Sequence, residues 1–184
     1  MSVSELCLVT GGAGFIGSHL TEALMAAGRP ERVFDNFSTG LRENLETLRP
    51  APEIIEGDLT DAAAVRRAAS GAGLVFHLGA LASVAESVED PLASHAACAT
   101  ATLNVLEAAR NAGARRVVYA ASASAYGAAE GERGLDEDTP LTALSPYVAA
   151  KLAGEFYLQA FTATYGIQTA RVRFQRLRPA AAGR

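Results

Sequence analysis

The chain of 184 residues has no tryptophan, two methionines, two cysteines and three histidines, and no apolar run long enough to span a bilayer. Each scarcity excludes something. Cys7 and Cys98 lack CxxC spacing and fall in a predicted strand and a predicted helix, so they read as inert buried thiols rather than a redox or metal pair. His19, His77 and His95 show no ligand spacing, and no metal is assigned. Without a membrane span or a basic and apolar export signal, the expectation is a soluble, cytoplasmic chain. Basic charge is also short: the net charge is −4 and the pI near 5.4. The basic residues are scattered until the last few, which argues against a nucleic-acid surface. Small anionic ligands stay open, because a helix N-terminus binds them without side-chain charge.

What is present is 49% hydrophobic residues, enough for one substantial core. Short, β-branched or aromatic runs predict strands at 6–10, 32–35, 53–56, 74–78, 116–121 and 169–174. Helical patterns lie between them at Phe15 to Ala27, at Asp61 to Ala69 with Thr60 as N-cap, over one long segment from Leu92 to Ala112, and from Ser145 to Tyr165. This alternation predicts a Rossmann-like, doubly wound α/β fold with a parallel sheet of six strands. The polar, Gly-rich loop 127–145 follows a strand end, where such folds bind ligands.

"TGGAGFIGSHL" sets Gly11, Gly14 and Gly17 between the first strand and first helix. Gly11 suits a tight turn, Gly14 a close approach of backbone to pyrophosphate, and Gly17 close packing of helix on sheet. An ordinary strand-to-helix turn would also fit the glycines alone. Asp35 ends the second strand about twenty residues on, where an acid accepts hydrogen bonds from an adenosine ribose and repels a 2′-phosphate. NAD is therefore expected over NADP.

"SPYVAAK" places Tyr147 and Lys151 at i and i+4 on one helix face, with Ser145 as N-cap and Pro146 in the first turn. A phenol with an ordinary pKa near ~10 is a poor base, but an adjacent ammonium favours the phenolate. Tyr147 is the expected proton acceptor. Ser122, at the end of the fifth strand, can orient a substrate oxygen toward it. Taken singly, a surface Tyr and Lys and a turn-capping serine cluster are the better explanation of these residues.

Together with "VTGGAGFIGSHL", "DNFSTG", "GDLTD", "VFHLGALASVAESVEDP", "TLNVLEAAR", "SASAYG" and "SPYVAAKLAGE", these residues resemble the extended short-chain dehydrogenase/reductase family. Within it they are most similar to the nucleotide-sugar epimerases of the UDP-glucose 4-epimerase type. The resemblance implies that Phe15 and Ile16 join the phosphate loop, that Asp35, Asn36 and Ser38 hold the ribose, and that Asp58 and Leu59 meet adenine. It implies that Leu78, Gly79, Ala80 and Asn104 line the cofactor cleft and that Ser122, Tyr147 and Lys151 are catalytic. It further implies bound NAD, a UDP-sugar substrate, and a homodimer formed through the helices around 102–112 and 145–165.

The related dehydratases carry an Asp-Glu pair after the catalytic hydroxyl. Here Ala123 and Ser124 follow Ser122, which favours an epimerase, with decarboxylase, carbonyl reductase and non-catalytic NAD-binding module as alternatives. Ala82 stands where some epimerases have a lysine, implying a looser grip on NAD.

The resemblance stops at Phe174, where the family continues with a segment like "RFFNVYGPRQ" and a substrate domain. One codon choice for "FNVYGPRQ", read from its third base, encodes Gln-Arg-Leu-Arg-Pro-Ala-Ala, the residues 175–181. The expectation is an NAD-binding domain over 1–174, a tail over 175–184 read out of frame, and an absent substrate domain. A cloning scar or a natural terminus is the alternative.

Overall fold

The computed structural model describes residues 5–127 and 136–174. The expected tail at 175–184 and the middle of the 127–145 loop lie outside the described residues.

Six parallel strands form one sheet: β1 (Leu6–Thr10), β2 (Glu31–Asp35), β3 (Glu53–Glu56), β4 (Ala72–His77), β5 (Arg116–Ser122) and β6 (Gln168–Phe174). Their order across the sheet is β3-β2-β1-β4-β5-β6. The chain winds outward from β1 in one direction and from β4 in the other, so the switch point lies between these two strands. Loops after them diverge and leave a crevice at the carboxyl ends. Leu8, Phe34, Val75, Val117 and Tyr119 are fully buried beneath Val65, Val105, Leu106 and Leu158 of the covering helices.

The helices are α1 (Phe15–Ala26), α2 (Glu43–Glu46), α3 (Ala62–Ala69), α4 (Val84–Glu89), α5 (Pro91–His95), α6 (Ala101–Asn111) and α7 (Pro146–Tyr165). Ser145 caps α7 as its sequence predicts, accepting the Val148 N–H, and Gly166 ends it in the left-handed region at φ 73°. The cap of α3 differs from expectation. Asp61, not Thr60, accepts the N–H groups of Ala63 and Ala64, while Thr60 is drawn back onto the Asp58 carboxylate.

The expected long helix from Leu92 to Ala112 is also interrupted. A π-helical turn at Ala96–Thr100 separates α5 from α6. At its end the Thr102 hydroxyl donates to the Cys98 carbonyl at 2.5 Å. The helical period of the alanines hides this break. α2 and α4 are short helices whose few turns leave no clear period in the sequence.

Candidate active site

A cleft of about 640 Å³ opens over the switch point between β1 and β4. Its floor begins with the glycine loop. Gly11 has φ +68°, and a Cβ there would sit 2.6 Å from the Gly79 backbone nitrogen, so only glycine lets the loops after β1 and β4 meet. Around Gly14 a Cβ would meet only the Gly11 carbonyl, at 3.3 Å, leaving an open cradle on the cleft side. α1 starts there with no side-chain cap and no acid in its first turn. Its N-terminal N–H groups and dipole therefore suit an anion.

Asp35 is buried and ties the loop to β2. Its carboxylate accepts the Ala13 N–H at 2.9 Å and the Phe37 N–H at 2.8 Å, one on each oxygen. Each oxygen keeps a lone pair for a further donor. Next to it, the Asn36 amide donates to Asp58 at 2.8 Å, and Ser38 donates to Asn36 through both N–H and hydroxyl. Hydrogen bonds from Thr60 hold the Asp58 carboxyl below the usual range, against the opposing effect of burial.

Gly11, Gly14, Phe15, Ile16, Gly17, Asp35, Asn36, Ser38, Asp58, Leu59, Leu78, Gly79 and Ala80 all line this cleft. Asn104 does not. Its amide points to the loop after β3, donating to the carbonyls of Leu59 and Thr60 at 2.9 and 3.3 Å. It shapes the cleft at one remove, through the backbone of a lining residue. Ala82, which stands where some relatives have a lysine, lies in the wall as well, together with Gly40, Leu81, Ala93, Ala96 and Ala97, which the motifs do not single out. Gly40 alone carried a signal, as the last residue of "FSTG": a Cβ there would meet Ala13 Cβ at 2.8 Å.

Ser122, Tyr147 and Lys151 are not in the lining of the cleft, although Ala120, on the same strand as Ser122, is. All three are buried. The Lys151 ammonium donates to the Ala120 carbonyl at 3.0 Å and stands 4.7 Å from the centre of the Tyr119 ring. Burial lowers its pKa to about 8. Burial also pushes the Tyr147 phenol up, while the Ser122 hydroxyl acts the other way. This departs from the expectation that Lys151 draws the phenol toward neutrality. The ammonium is engaged by the β5 backbone, so the helix face brings the two residues together without pairing them. Buried Cys98 packs with Tyr147 and Val148, and burial pushes its thiol up from the ordinary value.

Among the described residues, no group of three or more His, Cys, Asp or Glu side chains converges as a metal site requires. No helix among them is long and apolar enough to cross a membrane. The donor set fits a dinucleotide instead: backbone N–H groups for a pyrophosphate, a buried carboxylate for ribose hydroxyls, and apolar walls for the rings.

Comparison with known proteins agrees with this chemistry. The model of the NAD dependent epimerase/dehydratase family matches residues 7–177. UDP-glucose 4-epimerase of Mycolicibacterium smegmatis is 36% identical over 168 residues, which is 90% of this chain and 54% of that protein. The structure of Thermus thermophilus UDP-glucose 4-epimerase in complex with NAD superposes with a TM-score of 0.85 at 39% identity, covering 91% of this chain and 54% of that one. The dTDP-glucose 4,6-dehydratase DesIV of Streptomyces venezuelae, with NAD and TYD bound, gives 0.85 at 31% identity, over 91% and 55%. The chain thus spans about half the length of the relatives it matches.

Proposed function

The chain belongs to the NAD dependent epimerase/dehydratase family, and from that premise we propose that residues 1–174 are the NAD-binding and catalytic half of a nucleotide-sugar 4-epimerase. What supports this is the cleft itself, with the glycine loop, Asp35 and Ala120 in its lining, and Lys151 of the expected catalytic set donating to the Ala120 carbonyl at 3.0 Å. NAD, when bound, would accept a hydride from the sugar carbon and return it. The work of the chain is then in binding and proton transfer. Gly11, Gly14 and the first turn of α1 would hold the pyrophosphate, and Asp35 with Asn36 the adenosine ribose. Tyr147 would take the proton from the sugar 4-hydroxyl and give it back after the ketone has turned over, with Ser122 orienting the oxygen. Lys151 would lend its charge to the phenolate once its ammonium leaves the Ala120 carbonyl that it meets in this structure.

Ala123 and Ser124 supply no acid beside Ser122, which supports epimerisation over elimination. The similarity to UDP-glucose 4-epimerases supports a UDP-sugar as substrate and, in the whole protein, a pairing of two copies through α6 and α7. The out-of-frame origin of 175–184 belongs to this proposal and is tested by the source gene. Restoring the frame near codon 174 should open roughly another hundred residues or more, as a domain of ordinary size requires.

In that restored protein, Tyr147→Phe should lower kcat by about 10²–10⁴-fold while leaving NAD affinity nearly unchanged. Turnover is read as UDP-galactose converted to UDP-glucose without net NADH. Near-normal turnover by the variant would sink the assignment.

A further inference from the structure

Among the buried titratable side chains that the catalytic groups leave unused, His77 is held on two sides by hydroxyls. His77, the last residue of β4, is 1% exposed and lies between Thr10, its neighbour in the β1 register, and Thr102 on α6. Its Nδ1 is 2.8 Å from the Thr10 hydroxyl and its Nε2 is 3.0 Å from the Thr102 hydroxyl. The proton positions follow from the ends of the chain of bonds. The Thr102 hydroxyl spends its single hydrogen on the Cys98 carbonyl, so it must accept from His77 Nε2–H. At the other end the Gly79 N–H donates to Thr10 Oγ1 at 3.3 Å, leaving the Thr10 hydrogen for Nδ1. Every donor faces an acceptor only if the imidazole is neutral with its hydrogen on Nε2. Burial, followed by the charge of Lys151, keeps it neutral by lowering its pKa to about 3.

This line of bonds joins two walls of the cleft. Gly79 is part of the floor, in contact distance of Gly11. Cys98 belongs to the π-helical turn whose Ala96 and Ala97 line the cleft, and its side chain packs on Tyr147. A π turn inside a helix is rare and is found frequently at functional sites. The His77 ring also lies against Tyr119, centroids 5.5 Å apart, and the Tyr119 hydroxyl donates to the Lys151 carbonyl at 3.3 Å. The ring therefore sits between the cofactor floor and the helices that frame the catalytic groups.

We propose that His77 is a positioning residue for dinucleotide binding: by joining Gly79 to the Cys98 carbonyl it fixes the π turn against the glycine loops, and so shapes the half of the cleft remote from Asp35. The inference rests on the cofactor reading above and adds to it a residue that touches no ligand.

The test measures NAD and AMP affinity of the chain by isothermal titration, for the unmodified protein, His77→Phe and His77→Gln. Phenylalanine keeps a ring against Tyr119 and loses both hydrogen bonds. Glutamine keeps an acceptor and a donor on neighbouring atoms. His77→Phe should weaken NAD about tenfold or more and AMP by less than about twofold, since AMP needs only the Asp35 end; His77→Gln should recover most of the loss. Equal weakening of NAD and AMP, or unchanged NAD binding, would overturn the proposal. If His77→Phe does not fold, Thr102→Val breaks the same line at its far end and carries the same expectation. An unmodified chain that binds neither nucleotide overturns the cofactor reading itself, a result distinguishable from failure of the His77 step alone.

Discussion

At the scale of the residue, the site separates side chains that address a ligand from those that build its surroundings, and Asp35 does both. It fastens the glycine loop through the Ala13 N–H while keeping lone pairs toward the cleft. Asp35→Ser should narrow the preference for NAD over NADP by about tenfold or more, because a charged acceptor for ribose hydroxyls and a repulsive charge disappear together. Equal affinity for both cofactors in the unmodified chain, measured by titration, would refute that role. Lys151 makes a different prediction. Burial lowers its pKa from an ordinary value of 10.5 to about 8, so folding disfavours its charged form. Below about pH 8 that cost is fully present, and between about 8 and 10.5 the folded chain sheds the proton first, so stability rises with pH across that window. Lys151→Met should therefore raise the urea midpoint at pH 7, and the gain should shrink as the pH approaches 10. Of these residues, the glycines, Asp35, Tyr147 and Lys151 were legible in the sequence because fixed spacings carry them. His77 was not, because its partners Thr10 and Thr102 meet it only across strands and from a helix 25 residues away.

At the scale of the element, strands were read almost to the residue, since a sheet covered on both faces demands continuous apolar runs. Helix interruptions escaped. The π turn at Ala96–Thr100 sits in an Ala-rich run whose periodicity is indifferent to one extra residue per turn. α7 shows how one element is secured at both ends. Ser145→Ala removes the acceptor for the Val148 N–H and should cost about 1 kcal/mol, lowering Tm by roughly 2–4 °C for a chain of this size. Farther along, Glu155 is buried and accepts two hydrogen bonds from Arg173 on β6, at 3.0 and 2.7 Å, while Arg173 also donates to the Tyr126 hydroxyl at 3.0 Å. Arg173→Met alone removes both hydrogen bonds and leaves the buried carboxylate only Arg171 at 3.8 Å, at a cost of up to about 3–5 kcal/mol, whereas Arg173→Met with Glu155→Leu should lose far less. Urea unfolding of the two variants separates a buried-charge penalty from simple loss of packing. If both lose equally, the pair contributes through its shape and not through its charge.

At the scale of the whole molecule, the cleft is assembled from segments distant in sequence: the loops after β1, β2, β3 and β4 and the wall from Ala93 to Ala97. None of these holds a ligand alone, so a dinucleotide that uses them all binds the folded chain and not the unfolded one. Binding should then appear as stability. At a free NAD concentration about 100 times its Kd the folded state gains roughly 2.7 kcal/mol, or a rise in Tm of about 5–10 °C at this chain length. NADP should raise it less, because Asp35 opposes a 2′-phosphate. UDP-glucose alone should raise it little, since the described lining offers a pyrophosphate cradle and a ribose carboxylate but no second set of polar groups for a sugar nucleotide. For the same reason, and because the chain spans 54% of the Mycolicibacterium smegmatis epimerase, the expected behaviour of these 184 residues is NAD binding without measurable exchange of UDP-glucose and UDP-galactose. Thermal unfolding with each ligand, followed by the exchange assay on the same sample, decides it. A shift with UDP-glucose as large as that with NAD, or turnover by the chain alone, would place the sugar site within the described residues and overturn this division of labour.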